Sequence, residues 1–226
     1  MLSMLASVDR LPADTRERLG IFVKRAIMWD PPAQILGIRS PEGTYIPLED
    51  ENLSPEARLV EFRKWVTYYF VHGDLSARDP MQLNYKTPDP DRKPTFEHLP
   101  IQELLSLVDL APGQKCDTVV CEPAFADVEW GIVNKALFDR DVRATWSSMT
   151  MWHIFGDACP WNVYLAAWRL EDEAKKSDLA VNFTMTRGAN HFVGAISCTL
   201  NKDLTLSFQP MWDNPEGALS ELSKLV

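Results

Sequence analysis

The sequence has no apolar run approaching the roughly 20 residues that cross a bilayer as a helix, so no membrane partner is expected. Cysteine is scarce: Cys116, Cys121, Cys159 and Cys198 form no CxxC pair, and Cys116-x4-Cys121 lacks the second pair a zinc site would need. The first eleven residues lack a basic segment, and Asp9 interrupts their short apolar stretch, so no export signal is read. Free or buried thiols in a reducing compartment are the simplest reading, and the expected location is cytoplasmic. Positive charge is in the minority. Twenty-three Lys and Arg against 32 Asp and Glu leave a net charge of −9. An acidic surface repels phosphate backbones, so no nucleic-acid partner is expected. There is no P-loop, dinucleotide fingerprint or Gly-rich phosphate loop, and no His/Cys/Asp cluster has metal-ligand spacing; neither a cofactor nor a metal is expected.

What is present fits a globular protein. The 226 residues suffice for one core, or for one domain with a sizeable insertion. Hydrophobic residues make up 46% and charged residues 24%, which excludes low-complexity and collagen-like chains. Eight Trp residues point to extensive apolar packing or to a large apolar pocket.

The chain has two textures. Residues 12–140 carry helix signals between Pro-rich loops. Leu19, Phe22, Val23, Ala26 and Ile27 recur at helical spacing and predict a helix over about 13–28, stopped by Asp30-Pro31-Pro32. Ser54-Pro55 offers a cap and a first-turn proline for a second helix, with Leu59, Phe62, Val66, Tyr69 and Phe70 as its apolar stripe. Residues 74–94 read as irregular surface loop. Leu104, Leu105 and Val108 mark a third helix, and Phe125, Val128, Ile132, Val133, Ala136 and Leu137 a fourth, opened by Pro123. The second texture alternates. Met149–Phe155 reads as a buried strand, 161–176 as a helix, 179–186 as a strand and 214–225 as a terminal helix. Strand and helix alternating at this spacing imply an α/β fold with a parallel sheet.

Two segments follow the predicted strands, where open α/β sheets place their sites. Phe155-Gly156-Asp157 puts an acid at one strand end; Arg187-Gly188-Ala189-Asn190-His191 puts a histidine at the next. Alone, Asp157 reads as a helix cap and His191 as a surface histidine. Together they fit an acid that orients an imidazole acting as general base. The other histidines read more simply: His153 as a core residue, His72 and His98 as residues near helix ends with no role. Trp65, Tyr68, Tyr69 and Phe70 read as core, or as the wall of an apolar pocket.

In this order the strand, acid loop, helix, strand and Gly-x-x-His resemble the C-terminal third of an α/β-hydrolase of the fungal type with a helical cap. The matching residues are Ile154-Phe155-Gly156-Asp157, Gly188-Ala189-Asn190-His191-Phe192 and Trp212-Asp213-Asn214-Pro215-Glu216. The resemblance implies a partial α/β-hydrolase-like sheet with a large helical cap. It divides the chain into an N-terminal segment 1–11, a cap at 12–145, and a C-terminal core part at 146–226 with an insertion at 193–210. It also implies hydrolysis of a small apolar, ester-like substrate by a Ser-Asp-His triad, with catalytic roles for His191 and Asp157.

The chain departs from that pattern. No serine stands in a G-x-S-x-G nucleophile elbow, no Gly-x-Asp-x-Gly replaces it, and the oxyanion-hole loop is missing. The commoner family position of the acid falls on Cys159, leaving Asp117, Glu122 and Asp127 as alternatives to Asp157. Residues 193–210 read either as a translated intervening sequence or as a β-hairpin insertion. The expectation is a truncated, inactive form of the enzyme. The rival is a non-catalytic remnant acting as a binding or interaction protein, self-associating through an exposed sheet edge. A Trp-lined helical ligand-binding module within 12–140 is a further alternative.

Overall fold

A computed structural model describes residues 1–98, 100, 102 and 118–192. The predicted helices at 104–108 and 214–225, the insertion 193–210 and Asp117 lie outside the described residues. Helix and strand are mixed, with a small three-stranded parallel sheet in the order β1-β2-β3. The strands are β1 (Arg25–Trp29), β2 (Thr150–Gly156) and β3 (Asn182–Thr186). The α-helices used below are α1 (Leu2–Ala6), α2 (Ala13–Phe22), α3 (Pro55–Trp65), α4 (Ala126–Phe138), α5 (Arg140–Thr145) and α6 (Trp161–Ser177).

The chain divides into two compact units. Among the described residues the first draws on 1–41, 118–154 and 162–184, and the second on 42–98, 100, 102, 155–161 and 185–192.

The first unit is built on apolar burial. β1 lies parallel to β2, with Arg25 opposite Thr150 and Trp29 opposite Ile154. Ala26, Met28 and Met151 feed the core from the sheet. Val133, Ala136 and Leu137 feed it from α4 at helical spacing, and Ala166 and Leu170 from α6. Trp146 is 1% exposed, and its indole N–H donates to the Leu5 carbonyl at 3.4 Å, tying α1 into this core.

The helix predicted over 13–28 is corrected here. It ends at Phe22, and residues 25–29 form β1. Ala26 and Ile27 fit either period, and a short apolar run does not distinguish helix from buried strand. Burial decides it. α2 has no buried residue, whereas β1 alternates, with Ala26 and Met28 buried. Pairing with β2 supplies the contacts that a longer helix would lack.

The other described elements match the sequence more closely. Ser54 caps α3, its hydroxyl accepting from the Ala57 amide at 3.3 Å. That helix closes at Trp65, so Tyr69 and Phe70 lie beyond it. Pro123 opens a single 3-10 turn that runs into α4. Among the described residues no helix is long and apolar enough to cross a membrane.

The second unit is built around aromatic rings and polar anchors. Trp65, Phe70 and Trp161 are buried. Trp65 donates to the Tyr85 carbonyl at 2.8 Å, and Trp161 to the Tyr45 carbonyl at 2.8 Å. Trp65 packs edge-on against Phe70, with ring centroids 5.7 Å apart, and Tyr85 against Trp161 at 5.5 Å. Both indole N–H groups thus find acceptors, as buried Trp requires.

Candidate acid–histidine site

β2 ends at Gly156 and hands over to Asp157; β3 ends at Thr186 and hands over to the turn 187–192. Asp157 and His191 belong to the same compact unit. The Asp157 amide donates to the Thr186 carbonyl at 3.0 Å. Its carboxylate Oδ1 accepts from the Gly188 amide at 2.6 Å. The acid is thereby fastened to the turn three residues before His191. A short bond to an ionised carboxylate is stronger than a neutral one, which suits an anchor.

The turn is held along its length. Gly188 adopts a left-handed φ of +70°, which a residue with a side chain adopts only under strain. Its carbonyl accepts from Arg92 Nη2 at 2.7 Å. Ala189 is fully buried beside Tyr69 and Ala158, and its carbonyl accepts from the Ala158 amide at 2.9 Å. Asn190 is 2% exposed and well bonded. Its Nδ2 donates to the Thr67 carbonyl at 2.8 Å and to Thr95 Oγ1 at 2.9 Å, while its Oδ1 accepts from the Phe192 amide at 2.9 Å. His191, between these fixed points, is half-buried, and its ring meets Phe192 edge-on at 5.2 Å.

Gly156 is required for close approach. A Cβ built there would stand 2.1 Å from the Ala189 carbonyl oxygen, a clash with backbone that no rotamer relieves. Gly156 therefore lets the acid loop and the histidine turn meet.

His72 is also in this unit. The Asn84 amide donates to His72 Nδ1 at 3.0 Å, so the ring proton resides on Nε2 and is donated to the Cys159 carbonyl at 2.8 Å. Burial lowers its pKa, opposed by the bond to Cys159 and by the nearby Asp157 charge. With both ring nitrogens engaged, this imidazole ties the loop at Asn84 to the segment after β2. Cys159 is fully buried, with its thiol 3.9 Å from the Ala189 carbonyl.

The alternative acids have other surroundings. Asp127, in the first unit, pairs on the surface with Arg39 at 3.0 Å. Glu122 is also in the first unit and exposed. His153 is fully buried in that unit. Burial pushes its pKa down to about 4, and the Asp30 carboxylate opposes the shift. Among the described residues no group of three His, Cys, Asp or Glu side chains could hold a metal ion.

Sequence reasoning missed Arg92, Thr67, Thr95 and the anchoring role of Asn190. Arg92 and Thr95 lie in or beside the Pro-rich stretch read as loop, and Thr67 lies within the stripe read as the second helix. Their contacts are with residues about a hundred positions away, which no local pattern displays. Asn190 stands within the Gly-x-x-His segment, and an amide side chain beside the candidate histidine was the one signal present. The chain has no match among family models, curated proteins or solved structures.

Proposed function

We propose that this chain carries the acid and histidine part of an α/β-hydrolase-type site, with Asp157 as the acid and His191 as the histidine. The observation that carries the reading is the bond from the Gly188 amide to Asp157, which joins the loop after β2 to the turn after β3, three residues from the imidazole. The consecutive parallel order of the strands supports it, because sites of open parallel sheets gather in the loops at the carboxyl ends of strands. In this role His191 takes a proton from a nucleophile, and Asp157 orients the ring and balances its charge. The family chemistry is hydrolysis of an ester-like bond in a small apolar substrate.

No G-x-S-x-G elbow occurs in these 226 residues. The reading therefore has the purified chain perform no triad hydrolysis by itself. A fluorogenic short-chain ester tests this: wild type and His191→Ala should give the same background rate. Turnover that disappears in His191→Ala would reveal a nucleophile within the chain and overturn the inactive reading. The transcript sequence upstream of Met1 tests the family reading. An in-frame G-x-S-x-G segment supports it, and an in-frame stop codon directly upstream contradicts it.

A second reading is a non-catalytic chain that associates with copies of itself along the outer side of β1. It draws on the position of β1 at one end of the strand order and on the exposure of Ile21 (55%) and Phe22 (75%) just before it. Light scattering decides: a monomer at all concentrations contradicts this reading.

A further inference from the structure

We propose that Arg92 is a positioning residue for His191, acting through Gly188. The inference rests on the reading of His191 as the functional histidine. Gly188 is the residue of the turn with the widest backbone freedom, and the direction of the chain toward His191 follows from its dihedrals. Both peptide groups flanking it are held by ionised side chains. Asp157 takes the N–H on one side at 2.6 Å, and Arg92 supplies a donor to the C=O on the other at 2.7 Å. An anion at the N–H and a cation at the C=O match the peptide partial charges, and both bonds are charge-assisted.

Arginine suits this place for a geometric reason. The guanidinium carbon lies 3.4 Å from the centroid of the Tyr69 ring. Stacking fixes the guanidinium plane while its in-plane N–H groups remain free to donate. A lysine supplies charge and a donor but no plane to stack. The platform is itself fastened to the loop that carries Arg92: the Asp89 amide donates to the Tyr69 carbonyl at 2.7 Å, and the Arg92 amide to the Asp89 carbonyl at 3.3 Å. Tyr69 also packs on Ala158 and Ala189, the neighbours of Asp157 and Gly188. The loop before β2 is therefore part of the device that aims the histidine.

NMR of the whole chain tests this through the carbon-bound Cε1–H resonance of His191, with that of His153 as an internal reference. Arg92→Ala should move the His191 signal by more than its line width and leave His153 in place. Hydrogen exchange at the Gly188 amide should accelerate about tenfold or more, as expected for losing charge-assisted restraint. Arg92→Lys should fall between Arg92→Ala and wild type. A His191 signal unmoved in Arg92→Ala overturns the proposal, and so does an equal displacement of His153, which marks general loosening. If Arg92→Ala does not fold, Arg92→Lys is read by the same criteria. Asp157→Asn separates this proposal from the hydrolase-type reading. A His191 signal that responds to Arg92→Ala but not to Asp157→Asn sinks the acid–histidine pairing and leaves the positioning role standing.

Discussion

The two units hold a histidine in opposite surroundings. In the first unit His153 lies inside β2, fully buried, its ring 5.6 Å from that of Phe183 and within the field of Asp30. Asp30 is 2% exposed and holds a left-handed φ of +50°. Apolar surroundings dominate there, and the imidazole is kept neutral. In the second unit His191 stands half-buried on a turn whose Gly188 amide donates to Asp157, whose Gly188 carbonyl accepts from Arg92, and whose Asn190 donates to Thr67. The acid in that unit bonds the backbone of the turn. A histidine sealed in a core contributes packing; one presented on a fixed turn is available for chemistry.

The sharpest break in this comparison comes from the apolar core. Trp146→Ala should lower stability by about 3–5 kcal/mol, the cost of emptying a fully buried aromatic site. The shift of the urea midpoint measures it. A loss of only a few tenths of a kcal/mol would mean that the first unit does not depend on its core.

The pH dependence of stability comes next. His153 has a folded pKa of about 4 against an unfolded value near 6.5. Below pH 6.5 the unfolded chain binds the proton more readily, so stability falls as pH falls. The loss accumulates between about pH 6.5 and 4 and reaches roughly 3 kcal/mol. Urea titrations across this window measure it, and His153→Gln should flatten the curve. An unchanged slope in His153→Gln would contradict this account of the buried ring.

Effects in the second unit should be smaller in energy and larger at the site. Gly156→Ala forces a Cβ against the Ala189 backbone and should cost about 1–3 kcal/mol. Asn190→Ala removes the bonds to Thr67, Thr95 and Phe192 and should cost about 1–3 kcal/mol. Both should displace the His191 ring signals while leaving those of His153 alone. The smallest effect belongs to Asp127→Ala. Its exposed pair with Arg39 should leave the urea midpoint unchanged within error. A large loss there would require another role for Asp127.

How much of this was legible in the sequence differs between elements. β2, α6 and β3 were readable from distinct patterns: a short apolar run closed by Gly156, a helical stripe of Val163, Ala166, Ala167 and Leu170, then apolar and polar residues in alternation. α3 was readable from its Ser54-Pro55 start. β1 was not, because five residues cannot distinguish the two periods and its partner is more than a hundred residues away. The positions of Asp157 and His191 at strand ends followed from the same patterns. The supports of the turn did not, since Arg92 and Thr95 act across long sequence separations from loops without periodicity. Local pattern thus placed Asp157 and His191 at strand ends and missed the distant residues that hold the turn.

The most direct test of the proposal that Asp157 and His191 form one acid–histidine site is the imidazole N–H resonance of His191 in wild type and Asp157→Asn. A downfield, slowly exchanging N–H is expected in wild type and should weaken or disappear in Asp157→Asn. A wild-type spectrum without that resonance, or one in which it is unchanged by Asp157→Asn, would contradict the claim.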